Sequence, residues 1–184
     1  MVETYTPECN LDAKAHDFEL RNVDGNFYSL GDLVGTKATL VMFICNHCPY
    51  VKSIIEQLVV EASVMEKKGI GCIAINSNDP QDYPEDSYEN MKNLSKKFGF
   101  SFPYLVDDTQ VVARQYQAVC TPDFFGYNSD LQLLYRGRFD DRKTSKQMSA
   151  NSSELFKGMI EIARTGRSPI NQIPSVGCSI KWKE

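Results

Sequence analysis

A chain of 184 residues is long enough for one domain with a sizeable core and short for two. Its composition, 42% hydrophobic and 24% charged, is ordinary for a globular protein, and a net charge of −4 gives no basic footprint for nucleic acid. No run approaches the roughly 18 apolar residues of a membrane helix, and Met1 to Cys9 carry neither the basic nor the apolar region of a secretory signal, so a cytoplasmic protein without membrane contact is expected.

In chain order, residues 1–15 are polar and weakly patterned, as in an arm or a short strand. Phe18-Glu19-Leu20, Asp24-Gly25 and Phe27-Tyr28-Ser29-Leu30 predict a hairpin on a type I′ turn. Leu30 to Val34 predict a helical turn ending at Gly35. Ala38 to Ile44 is an apolar, β-branched run and reads as a buried strand. Val51, Ile54, Ile55, Leu58, Val59, Ala62 and Met65 recur at three and four residues, which predicts an amphipathic helix over 49–68 closed at Gly69. Ile70 to Asn76 reads as a second buried strand. The polar stretch Ser77 to Ser87 is expected to cap the next helix, with Pro84 near its first position. That helix carries Met91, Leu94 and Phe98 and ends at Gly99. Tyr104 to Val106 is a short strand, and Thr109 to Tyr116 a short helix with Val111 and Val112 inward. Val119 to Asn128 and Leu131 to Tyr135 predict a hairpin turning at Asn128-Ser129-Asp130. Ser152 to Thr165 is the last helix, capped by Ser152 or Ser153. The tail 168–184 is expected to pack on a single domain spanning 1–184.

The chemistry concentrates at Cys45-Asn46-His47-Cys48. Six cysteines are too sparse for a disulfide scaffold; catalysis, metal binding and inert burial are the roles to weigh. A Cys-x-x-Cys between a strand and a helix, in a βαβ pattern, is the arrangement of thioredoxin-type redox sites. Its sulfurs fall within disulfide reach, and the unpaired N–H groups and dipole of the helix start stabilise a thiolate. Pro49 suits the first turn. A zinc site needs about four ligands. Cys45, His47 and Cys48 are too crowded to serve together, and His16 is the only other histidine, so no metal is expected. Cys45, at the cap, is expected to face solvent with the lowered pKa; Cys48, one turn in, would resolve the mixed disulfide. His47 is the expected tuning element. Cys72 and Cys120 are expected to pack inertly, and Cys9 to be incidental.

These residues resemble the thioredoxin-like thiol–disulfide oxidoreductases of the alkyl hydroperoxide reductase/thiol-specific antioxidant (redoxin) superfamily. The resemblance rests on Asp17-Phe18-Glu19-Leu20, Asp24-Gly25, Phe43 to Val51 and Thr121-Pro122-Asp123-Phe124. Asn78-Asp79-Pro80, Tyr83 to Asp86, Tyr135 to Asp141 and Gly177 to Trp182 match a bacterial subgroup with the Cys-Asn-His-Cys-Pro motif. It implies an α/β fold with a mixed central sheet, helices on both faces, an N-terminal β-hairpin and a C-terminal tail. It implies a dithiol/disulfide cycle with no cofactor, acting on a protein or small-molecule disulfide or dithiol and served by a reductant thiol system. It implies a cis Thr121–Pro122 bond against the redox pair, with Thr121 and Pro122 binding the partner chain. A His before the second Cys also resembles the strong oxidant DsbA, and implies a potential above the about −270 mV of thioredoxin.

Other readings stay open. Peroxiredoxins carry Thr-x-x-Cys with the Cys attacking peroxide; Cys48 takes that place, Cys45 stands for the Thr, and Arg136 or Arg138 is a candidate to stabilise the thiolate. A non-catalytic binding module of the same fold is the third reading. Cys178 is an accessory redox candidate if the tail folds over the site. Asp140, Asp141 and Arg142 are expected to order the turn before the last helix, and the acidic loop 79–89 is a candidate substrate lip.

Overall fold

The computed structural model describes residues 3–7, 10–145, 151–169 and 171–183; Cys9 lies outside the described residues. The chain runs β1 (Glu3–Tyr5), β2 (Glu19–Asn22), β3 (Phe27–Ser29), α1 (Leu30–Leu33), β4 (Ala38–Phe43), α2 (Pro49–Glu66), β5 (Ile70–Asn76) and α3 (Tyr88–Phe98). It continues through β6 (Tyr104–Val106), α4 (Val111–Gln115), β7 (Cys120–Thr121), β8 (Asp123–Asn128), β9 (Leu133–Tyr135), α5 (Glu154–Thr165) and β10 (Val176–Ser179).

The seven-stranded central sheet has the order β3-β2-β6-β5-β4-β8-β9. β4, β5 and β6 are parallel, and the flanking strands pair antiparallel. The two apolar runs are continuous because both faces of β4 and β5 are covered. Leu40, Met42, Cys72 and Ala74 point to one face, where they meet apolar side chains of α2, α3 and α5. Val41, Phe43, Ile73 and Ile75 alternate to the other face, against α1 and α4. Each of the Leu, Met, Val, Phe and Ile side chains, fully buried, contributes about 1.5–3 kcal/mol. This is a mixed α/β sheet flanked by helices on both faces, the thioredoxin-like architecture.

Four local expectations change. The β2–β3 connection is not type I′, which needs positive φ at two residues: only Gly25 has it (φ 96°), while Gly25 N–H bonds Asn22 O at 2.9 Å and Asn22 N–H bonds Asn26 O at 2.8 Å. Asp24 instead caps the turn with its carboxylate on Asn26 N–H, 2.8 Å. Val112 is buried but Val111 is exposed, since neighbouring helical residues point about 100° apart. Pro84 opens a separate 3₁₀ turn (Pro84–Asp86), and Ser87 is the N-cap residue of α3. β7 leaves the hairpin of β8 and β9 and joins β1 and β10 in a second, three-stranded sheet ordered β1-β10-β7.

Two expected anchors hold. Ser153 caps α5 through Phe156 N–H, and its own N–H and hydroxyl donate to the buried Glu61 of α2. Arg142 turns back on Asp140 (Nε–Oδ2 2.8 Å) and reaches Gln57 Oε1 at 2.7 Å.

Candidate active site

The site forms where β4 hands over to α2. Ile44 N–H still donates to Ile75 O, 3.0 Å; the chain leaves the sheet at Cys45. The cap of α2 is Cys48, with extended backbone (φ −63°, ψ 123°), and Pro49 follows at the first helical position. Cys48, not Cys45, therefore meets the partial positive charge of the helix start.

Burial also departs from expectation. Cys45 and Cys48 are both 0% exposed, and Cys178 is 2% exposed. All three are reduced thiols. Cys45 Sγ lies 3.1 Å from Thr121 Oγ1. Cys48 Sγ lies 3.0 Å from Cys178 Sγ and 3.1 Å from Thr121 O, to which its protonated form donates. Burial, then the hydrogen bond with Cys48 and the charges of Asp86 and Cys48, push the Cys45 thiol well above the ordinary range. Cys48 moves the other way: the Cys178 thiol first, then that of Cys45, outweigh burial and hold it below the ordinary range. The Val51 amide adds to this without making a cap hydrogen bond. The expected order of the two thiols is thus reversed, because cap position and S–H donors favour a thiolate while burial alone penalises it.

Asp86 is the residue that sequence reasoning missed. It is 3% exposed and faces the Cys45–Cys48 segment rather than capping α3. Its Oδ1 accepts Asn46 N–H at 2.6 Å; its Oδ2 meets His47 Nδ1 at 2.6 Å and accepts from Asn78 Nδ2 at 2.8 Å. Asn46 is fixed further by Tyr104 O–H on its Oδ1 (2.9 Å) and by donation to Glu85 O (2.8 Å). His47 stacks on Tyr83, with ring centroids 4.9 Å apart. Its imidazole is thus held by a carboxylate and a ring rather than by the sulfurs, and its buried Nε2 has no hydrogen-bond partner among the described residues. One signal in the sequence was available: an acidic side chain in a loop that follows a buried strand of the sheet.

Cys45, His47 and Asp86 bring one ligand atom each within 4.8 Å of one another, a proximity the spacing of the motif did not reveal. Both Asp86 oxygens already accept protein donors.

The Thr121–Pro122 bond is cis. The backbone edge of Thr121, expected to receive a partner chain, is occupied by the protein's own tail: Cys178 pairs with Thr121 and Ser179 with Cys120. Gly177 makes this approach possible, because a Cβ there would run into the Thr121 carbonyl and Pro122 N. A cleft of about 290 Å³ between α2 and the end of α3, lined by Asn46, Val51, Ile55, Leu94 and Phe98, reaches Cys45.

The AhpC/TSA family model matches residues 11–139. The chain belongs to the AhpC/TSA family. The match spans β2 to β9 and both halves of the site, but stops short of β10 and Cys178. No curated protein matches the chain. Among solved structures, an uncharacterised conserved protein from Geobacillus kaustophilus is 44% identical, with TM-score 0.93 over 100% of this chain and 97% of that one. A hypothetical protein from Sinorhizobium meliloti is 37% identical, with TM-score 0.91 over 98% of each. A thiol:disulfide interchange protein from Chlorobium tepidum is 19% identical, with TM-score 0.63 over 85% of this chain and 99% of that one, and shares the fold alone.

The remaining family signals resolve structurally. Arg136 ion-pairs with the buried Asp123 at 3.0 Å, and Arg138 with Glu154 at 2.6 Å; both candidate thiolate partners of an AhpC/TSA peroxidase are engaged elsewhere. Burial pushes Cys72 and Cys120 up, away from reactivity. Among the described residues no helix is long and apolar enough to cross a membrane.

Proposed function

We propose that this AhpC/TSA protein is a thiol–disulfide oxidoreductase that cycles Cys45 and Cys48 between dithiol and disulfide. The observation that carries the reading is Cys48 at the α2 cap, between the S–H groups of Cys45 and Cys178. Cys48 thiolate attacks one sulfur of a substrate disulfide, and the other substrate sulfur leaves as a thiolate. Cys45, its proton passing to the next leaving sulfur, attacks Cys48 Sγ and expels the second substrate thiol. The substrate is thereby reduced by two electrons and the pair oxidised. An external thiol reductant returns the pair, or, run backwards, a substrate dithiol does. Asp86 and Asn46 fix the backbone between the two cysteines. Thr121 lies against both sulfurs and Pro122 follows it; a partner chain pairing there requires β10 to move.

In an insulin-reduction assay with dithiothreitol, Cys48→Ser is expected to abolish turnover. Unchanged turnover in Cys48→Ser sinks the reading.

The same sulfur supports a second reading, a thiol peroxidase with Cys48 as peroxidatic thiolate. Peroxide consumption far above that of free cysteine, lost in Cys48→Ser and kept in Cys45→Ser, identifies it.

A further inference from the structure

β10 holds a third sulfur where the Cys45–Cys48 reaction does not need one. Cys178 Sγ is 3.0 Å from Cys48 Sγ, and the strand that carries it is fixed along the whole cis-proline segment. Ile180 N–H donates to Val119 O (3.0 Å) and Ser175 O–H to Pro122 O (2.8 Å). Between them, Cys178 lies in register with Thr121. On its outer edge β10 pairs with β1, Glu3 opposite Cys178, and Thr6 N–H donates to Ser175 O at 3.0 Å. Beyond it, Lys181 N–H donates to Asn78 Oδ1 at 2.9 Å, tying the strand to the side chain that also holds Asp86. Gly177 brings the strand closer to Thr121 than any residue with a side chain permits. Cys48 is thus the middle of three sulfurs, with Cys45 on its own loop and Cys178 delivered by the tail.

We propose that Cys178 is a third redox thiol, tethered to compete with Cys45 for Cys48 in an intrachain disulfide relay. The relay rests on Cys48 being the reactive sulfur of the proposed oxidoreductase. Attack on a disulfide RSSR gives Cys48–S–S–R and releases RS⁻. Cys178 then attacks Cys48 Sγ; the bond to R breaks, RS⁻ takes the Cys178 proton, and a Cys48–Cys178 disulfide forms. In total one RSSR is reduced to two RSH, and the two chain thiols are oxidised. Cys45 attack on the same Cys48 Sγ then moves the disulfide to Cys45–Cys48 and frees Cys178, with no net electron transfer. The tail strand thereby acts as a built-in partner on the edge of Thr121.

The test uses oxidised glutathione on the reduced full chain, Cys45→Ser and Cys178→Ser, followed by acid quench, alkylation and disulfide mapping by mass spectrometry. Cys48–Cys178 is expected in most chains of Cys45→Ser with glutathione released, Cys45–Cys48 in Cys178→Ser, and both in the unsubstituted chain. Glutathione left on Cys48 in Cys45→Ser, while Cys178→Ser still forms Cys45–Cys48, overturns the relay and leaves the oxidoreductase standing. Absence of any Cys48 disulfide in all three overturns the oxidoreductase. Should either variant fail to fold, the unsubstituted chain decides: absence of Cys48–Cys178 at every glutathione ratio overturns the relay.

Discussion

Asp86→Asn removes a charge while keeping the shape of a side chain that no catalytic step consumes. The carboxylate accepts three buried hydrogen bonds, from Asn46 N–H, His47 Nδ1 and Asn78 Nδ2. The amide keeps one oxygen and turns an NH₂ toward donors. Hydrogen bonds to a charged group contribute about 1.5–3 kcal/mol each. With one bond retained and the network sharing the loss, a destabilisation of about 3 kcal/mol is expected. At about 2–4 °C per kcal/mol for a chain of this size, Tm falls by about 6–12 °C. The pH dependence has a fixed sign. Burial raises the Asp86 carboxyl, but His47, Asn78 and Asn46 outweigh it, so the folded pKa lies below the unfolded one. Its stabilisation is complete above the unfolded value, about 3.9, and is lost as pH falls through the folded value. Chemical denaturation across the acid range should therefore show a stability loss in the natural sequence that is shallower in Asp86→Asn. A variant melting within about 1 °C of the natural chain, with the same acid slope, refutes the network.

Two further outcomes follow from the sulfurs and the tail. Gly177→Ala places a methyl against the Thr121 carbonyl and Pro122 N; it should cost about 1–3 kcal/mol and raise Cys178 alkylation several-fold, and an unchanged alkylation rate counts against the close β10–Thr121 pairing. Because Cys48 lies below the ordinary thiol range, its iodoacetamide reactivity in a denaturant-free time course should stay flat as pH falls from about 8 to about 6, whereas an ordinary thiol with pKa about 8.5 loses nearly tenfold per unit; that ordinary decline at Cys48 rejects the assignment.

What periodicity and local chemistry can express was legible in the sequence. β4 and β5 were readable as apolar runs, α2 and α5 from three- and four-residue spacing, and the redox junction from two cysteines between a strand and a helix. The start of α2 at Pro49 was legible too, but the cap was not: Cys45 was expected there, three residues too early, and with Pro49 as the first helical residue the cap is Cys48. Asp86 was invisible for a different reason. Its partners lie 8 to 40 positions away, and a loop carboxylate before a helix is more simply read as a cap. β7 and β8 read as one strand because hydropathy does not show which sheet a buried residue pairs in, and the chain changes sheet between Thr121 and Asp123. Cys178 stands out in the sequence as a further thiol, but its pairing with Thr121 depends on a glycine whose importance appears only when two backbones touch.

Three sulfurs at 0%, 0% and 2% exposure cannot meet a protein disulfide unless something opens. β4 and α2 are poor candidates: β4 is paired along both edges, Ala38 to Phe43 against β5 and β8, and the apolar face of α2 is sunk in the core. β10 is held by short ladders, to the two residues of β7 on one side and the three of β1 on the other. Local opening draws on elements with few buried apolar contacts and short ladders. Amide hydrogen exchange should therefore release Ile180 N–H, bonded to Val119 O, well before Ile44 N–H, bonded to Ile75 O at the end of β4. Gly177→Ala should speed the first without moving the second. Equal protection at both amides would mean that the tail opens only with the whole fold, and entry would then have to come through the cleft beside Leu94 and Phe98 that reaches Cys45.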